Sequence, residues 1–137
     1  MRKLLLALAC LLPLVGSGEA FAQTNQPAYN QGSTQSVAIS VSSGTTQLVA
    51  ASTRNQWIYV SHWDVIASGT GTVQLEYGTG TACASGTTAL TGAYSLTAQT
   101  GLSAGDGSGW ILFVPSNNAL CIATTVAAAG SLAFAQW

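Results

Sequence analysis

Ser61-His62-Trp63-Asp64 places a hydroxyl, an imidazole and a carboxylate within four residues, and Glu76 supplies the next acid along the chain. Those groups are the components of acyl transfer, in which a serine attacks, an imidazole takes its proton and a carboxylate orients the imidazole. Their spacing argues against that chemistry. Successive side chains on a strand alternate between faces, so Ser61 and His62 point apart, whereas a nucleophile and its base must touch. The sequence also lacks the G-x-S-x-G turn that lifts a nucleophilic serine clear of a sheet. His62 and Asp64 share a face and read more simply as a hydrogen-bonded pair.

Two other chemistries use the same residues. His62, Asp64 and Glu76 would suit a divalent cation if they converged, although one imidazole and two carboxylates are a thin ligand set and zinc sites want better. Asp64 opposite Glu76 on paired strands would stand about 5 Å apart, near the spacing of a retaining glycosidase pair, but no cleft is implied. The expectation is therefore a protein without catalytic residues, metal or cofactor.

The element that must carry these residues is the stretch Arg54 to Gly80, which reads as a long aromatic strand, a Gly/Thr turn at residues 68–72 and a second strand. Strict alternation puts Trp57, Tyr59, Ser61, Trp63 and Val65 on one face and Ile58, Val60, His62, Asp64 and Ile66 on the other. Both faces are largely apolar, as in a strand covered on both sides. Folded as a hairpin, the stretch pairs Trp63 with Tyr77, Val65 with Leu75 and Asp64 with Glu76. The aromatic side of Trp57, Tyr59, Trp63 and Tyr77 has three readings: core packing first, a subunit interface second, a flat sugar-stacking platform third. Trp110 and Trp137 carry the same choice.

Met1-Arg2-Lys3, the apolar run Leu4 to Val15 and Ala20-Phe21-Ala22 have the form of a secretory signal peptide with an A-x-A cleavage site. The run is too short, and too interrupted by Pro13 and Gly16, to span a membrane. The expected organisation is a signal peptide at residues 1–22, a flexible polar arm at 23–36 and one β-domain at 37–137, secreted to the periplasm, cell surface or medium. Cys10 leaves with the signal, so Cys83 and Cys121 remain as an even pair in an oxidising compartment and read as a disulfide.

Beyond residue 22 the ionic side chains are Arg54, Asp64, Glu76 and Asp106, apart from the single His62. One cation cannot hold a phosphate backbone, which excludes nucleic acid as a ligand. So little charge also resists self-association poorly, and a homo-oligomer or polymer is the expected assembly, with a glycan as the alternative partner.

Short β-branched segments separated by Gly-rich turns run from Val37 to Trp137, with Gly101 to Gly109 read as a loop and Trp110 to Val114 as a strong strand. The string Ser43-Gly44-Thr45 recurs at Ser68-Gly69-Thr70 and Ser85-Gly86-Thr87. Its unequal spacing indicates one turn chemistry used three times to enter a strand, and not a repeat architecture. About eight strands predict an all-β antiparallel sandwich, jelly-roll-like in preference to immunoglobulin-like because the cysteines do not bracket the tryptophan strand. Phe134 to Trp137 reads as an ordinary last strand, since the long alternating strands of a membrane barrel are missing from residues 79–109.

Tyr77-Gly78-Thr79-Gly80-Thr81-Ala82-Cys83, Leu90-Thr91-Gly92 and Asn118-Ala119-Leu120-Cys121-Ile122 resemble a group of small uncharacterised β-proteins encoded in proteobacterial genomes and tailed-phage structural regions. The resemblance runs from Gln56 to Trp137. It implies a β-sandwich that decorates or builds an assembly, with no catalytic residues to carry over. The signal peptide departs from an ordinary virion protein and points to the cell surface or medium. The function expected is that of a secreted structural protein acting by self-assembly or surface attachment; the alternative is a carbohydrate-binding module using exposed aromatics.

Overall fold

A computed structural model describes residues 34–137; the expected signal peptide, Cys10 and nearly all of the arm lie outside them. The strands are β1 (Gln35–Val41), β2 (Gly44–Val49), β3 (Ile58–Ala67), β4 (Gly71–Thr79), β5 (Ser85–Ala89), β6 (Tyr94–Leu96), β7 (Gly101–Ala104), β8 (Leu112–Val114), β9 (Ala119–Thr124) and β10 (Ala128–Gln136). They form two antiparallel sheets. Sheet A has the order β1-β10-β3-β7, with β8 also on β3; sheet B has the order β2-β9-β4-β5, with β6 also on β4.

Because β7 and β8 lie along one edge of β3, and β5 and β6 along one edge of β4, ten segments fill eight strand positions. The chain passes between the sheets at nearly every turn, which is the winding of a jelly roll. The recurring Ser-Gly-Thr string enters β2, β4 and β5 as expected. Three boundaries differ from the sequence reading. Strand β1 starts at Gln35, inside the stretch read as arm; β7 occupies Gly101–Ala104, inside the stretch read as loop; and of residues 110–114, read as a strong strand, only Leu112–Val114 (β8) is strand.

The hairpin expected from Arg54 to Gly80 does not form. Strand β3 pairs with β10, β7 and β8, while β4 pairs with β9, β5 and β6. Ser68 and its neighbours carry the chain from one sheet to the other. Both strands are central in their sheets, so each needs two neighbours, and they meet by facing each other across the core: Trp63, Val65 and Ala67 on one side, Val73 and Leu75 on the other. With Ile39, Val60, Leu120, Ile122 and Leu132 they fill the space between the sheets.

The expected disulfide is present, with Cys83 and Cys121 Cα atoms 6.3 Å apart, and its position is informative. On β9, Leu120 and Ile122 point inward, so Cys121 points away from the core and meets Cys83 and Ala119 in a small separate cluster on the outer face of sheet B. The bond therefore pins a flap over the sheet and does not link the sheets. Ala82 (φ 52°) and Cys83 (φ 56°) hold left-handed backbone there, which costs each about 1 kcal/mol or more for a residue with a Cβ. Gly78 makes the contact possible: a Cβ at that position would come within 2.9 Å of the Ser85 carbonyl oxygen.

Closing this loop stabilises the fold by roughly 3–4 kcal/mol in the chain-entropy picture. Replacing both cysteines by alanine is expected to lower the unfolding free energy in urea by about that amount. Amide exchange should accelerate first in residues 80–91, with the inter-sheet core still protected.

Candidate functional site

The site begins with an irregularity in β3. On β10, Ala133 lies opposite His62 and Phe134 opposite Val60, so Ser61 is an extra residue in the ladder, a β-bulge. Before it, Ile58 and Val60 point inward; after it, Trp63, Val65 and Ala67 do. The bulge reverses the phase of the strand, and the two faces of the strict alternation are recombined. Trp63 is only 1% exposed. Tyr59 joins His62, Asp64 and Ile66 on the outer face of sheet A.

Five aromatic rings collect on that outer face. Trp57 and Trp137 extend the β3–β10 ladder by one reciprocal backbone pair, Trp57 N–H donating to the Trp137 carbonyl (2.8 Å) and Trp137 N–H to the Trp57 carbonyl (3.2 Å). Tyr59 follows two residues on and pairs with Phe113 of β8. Tyr59, Trp110 and Trp137 pack mutually, with ring centroids 5.6–5.9 Å apart, and Trp57 lies 6.1 Å from Phe113. The planes meet at 42–77°, so the rings form a tilted, edge-to-face cluster. Phe113 is 61% exposed and Trp57, Ile111 and Trp137 are about 40% exposed.

Trp110 is held in place by the loop before it. The backbone N–H groups of Gly107 and Ile111 donate to the carbonyls of Ser61 (3.3 Å) and Val60 (2.8 Å), so the loop is bonded to the bulge itself. His62 Nδ1 donates to the Gly105 carbonyl at 2.7 Å. Gly105 (φ +82°) cannot be another residue without rearrangement, since a Cβ there would stand 2.2 Å from the Ser61 carbonyl oxygen. Asp106 accepts hydrogen bonds from the Ser108 hydroxyl and backbone N–H, which hold its carboxyl below the ordinary value, with His62 adding a smaller contribution.

The candidate reactive groups do not converge. Ser61 is buried and donates to the Ala133 carbonyl at 3.4 Å, away from the His62 ring. His62 Nε2 lies 3.5 Å from Asp64 Oδ1, and Ser131 donates to the same carboxylate oxygen. Glu76 is on the other sheet. It points outward beside Cys121 and accepts from Thr45 Oγ1 at 3.2 Å. Two sheets about 10 Å apart stand between Glu76 and Asp64, so the expected pairing of these acids, the glycosidase spacing and the His62–Asp64–Glu76 ligand set all fail for one reason: β3 and β4 are in different sheets. Among the described residues no three His, Cys, Asp or Glu side chains gather closely enough to hold a metal ion.

Of the aromatic candidates, Trp57, Tyr59, Trp110 and Trp137 belong to the outer cluster, whereas Trp63 lies in the core, its ring tilted against that of Tyr94, and Tyr77 packs half-buried against the core. Phe113 is the member the sequence reading missed. Its signal was present: in Leu112-Phe113-Val114 the flanking aliphatics alternate inward, which sends the ring out. No protein-family model, curated protein or solved structure matches the chain.

Two outcomes test this assignment. Trp63→Ala should lower stability by about 3–5 kcal/mol, and Phe113→Ala by no more than about 1 kcal/mol, as read from denaturant midpoints. The depressed Asp106 carboxyl works in one direction: its hold on Ser108 is complete above the ordinary carboxylate range, about pH 4, and is lost as acid protonates it. Amide exchange at Ser108, corrected for intrinsic rates, should therefore speed up below about pH 4 in the native protein, and Asp106→Asn should abolish that step.

Proposed function

We propose that the protein is a non-enzymatic structural subunit, exported from the cell, that self-associates through the outer aromatic face of sheet A to form a coat, filament or decoration layer. The observation that carries this reading is the clustering of Trp57, Tyr59, Trp110, Phe113 and Trp137 on one solvent-facing end of the sheet. Partly exposed Trp, Tyr and Phe are the side chains most enriched at the centres of protein interfaces.

The charge balance supports the same reading. Arg54, Asp64, Glu76 and Asp106 are the only Arg, Lys, Asp and Glu side chains among the described residues, so like copies meet with little repulsion. The disulfide and the signal-peptide pattern fit an oxidising compartment. No helix among the described residues is long and apolar enough to cross a membrane.

The carbohydrate-binding alternative uses the same rings and ranks second on their geometry. Sugar rings stack on open, flat aromatic faces, and planes inclined at 42–77° present no common platform.

Sedimentation velocity over a concentration series discriminates the two. Trp57→Ser combined with Phe113→Ser should weaken self-association at least tenfold while leaving the circular dichroism spectrum unchanged. A dispersed monomer at all concentrations, together with neutral-glycan binding lost in the same variant, would transfer the face to the carbohydrate reading.

A further inference from the structure

A second surface lies at the opposite edge of the sandwich. Among the described residues strand β1 is hydrogen-bonded to β10 alone and β2 to β9 alone, so each presents one backbone edge that no other described strand pairs. At one end of that edge, beside Gln35–Val37 of β1, Leu48 and Val49 of β2 and residues 50–54 and 56, lies a groove of about 560 Å³. Val37, Leu48 and Phe134 give it an apolar lining, and Gln56, Gln136 and Arg54 a polar one. Gln136 Nε2 donates to the Ala50 carbonyl at 2.9 Å and Ser52 to Gln56 Oε1 at 2.8 Å, which fixes that end.

We propose that residues 23–33 of one copy of the chain bind as an added strand along β1, in this groove, on a second copy. The proposal rests on the self-association argued above and gives it a second contact. Bare strand edges are satisfied by an extended backbone, and the alternate side chains of that strand fill what lies behind the edge.

The segment fits on three counts. Its sequence, QTNQPAYNQGS, has no ionic side chain and is rich in amides, in keeping with a groove whose one charged side chain is Arg54. Fully extended, it spans roughly 36 Å, against roughly 23 Å for β1. Pro27 removes one donor, which an edge-added strand tolerates on its solvent side.

The place where the segment joins the fold favours a second copy. Gln35 pairs with Phe134, and β10 then continues through Gln136 to Trp137, so the chain enters β1 at the same end as the aromatic cluster. An arm leaving there starts beside the partner that the cluster engages. To fill its own groove, whose rim includes Gln35, it would have to reverse direction within its last few residues.

The test uses the exported chain, a variant lacking residues 23–33 and a synthetic peptide of sequence QTNQPAYNQGS. Added to the truncated variant, the peptide should shift the amide resonances of Ser36–Val41, Leu48 and Arg54 saturably. Truncation should lower the association constant of the chain at least tenfold. In the Trp57→Ser, Phe113→Ser background the peptide should still bind, because the groove is separate from the aromatic face. Absence of saturable shifts, shifts confined to the aromatic face, or β1 protection in the full chain that is independent of concentration would each overturn the exchange of arms. If truncation leaves association intact while the aromatic substitutions abolish it, the arm proposal fails and the aromatic interface stands; the reverse result removes the aromatic interface.

Discussion

One extra residue in one ladder decides the surface of this protein. Without the bulge at Ser61, strand β3 would keep a single phase, and Trp63 would share a face with Tyr59. With it, the large indole goes into the core while the phenol goes to solvent, beside Trp110 and Trp137. The carbonyls of Val60 and Ser61 then serve as docking points for the loop that delivers Trp110. Core, loop and aromatic face thus depend on one local break in β pairing, in keeping with the tendency of bulges to re-aim side chains at functional surfaces.

The jelly-roll winding has an equally direct consequence for chemistry. Because the chain crosses from one sheet to the other between β3 and β4, their acids end on opposite outer surfaces, with an apolar core between them. His62 and Asp64 are left as a surface pair whose structural work is local: the imidazole secures Gly105 and the carboxylate receives Ser131.

The disulfide belongs to the same division of labour. Set outside the core, it does not determine how the sheets pack; it holds a left-handed flap against β4 and β9, where Gly78 leaves room for it. Small domains have little apolar area to spare. Here the inter-sheet space is filled by aliphatics together with Trp63 and Phe134, and the covalent bond secures a segment with few buried side chains of its own.

What the sequence alone determined was everything carried by local pattern and composition. Period-two β-branched runs and Gly turns specify strands, and the late cysteine pair specifies the bond; each depends on neighbours along the chain or on a count. The partners of β3, the sheet of Glu76 and the face of Tyr59 were decided by tertiary structure. Trp63 facing Tyr77 in a hairpin and Trp63 facing Leu75 across a core satisfy the same apolar pattern, since both bury the same side chains. The choice between them comes from long-range pairing with β10 and β9, and the bulge that follows from that pairing leaves no mark in a strand whose two faces are both apolar.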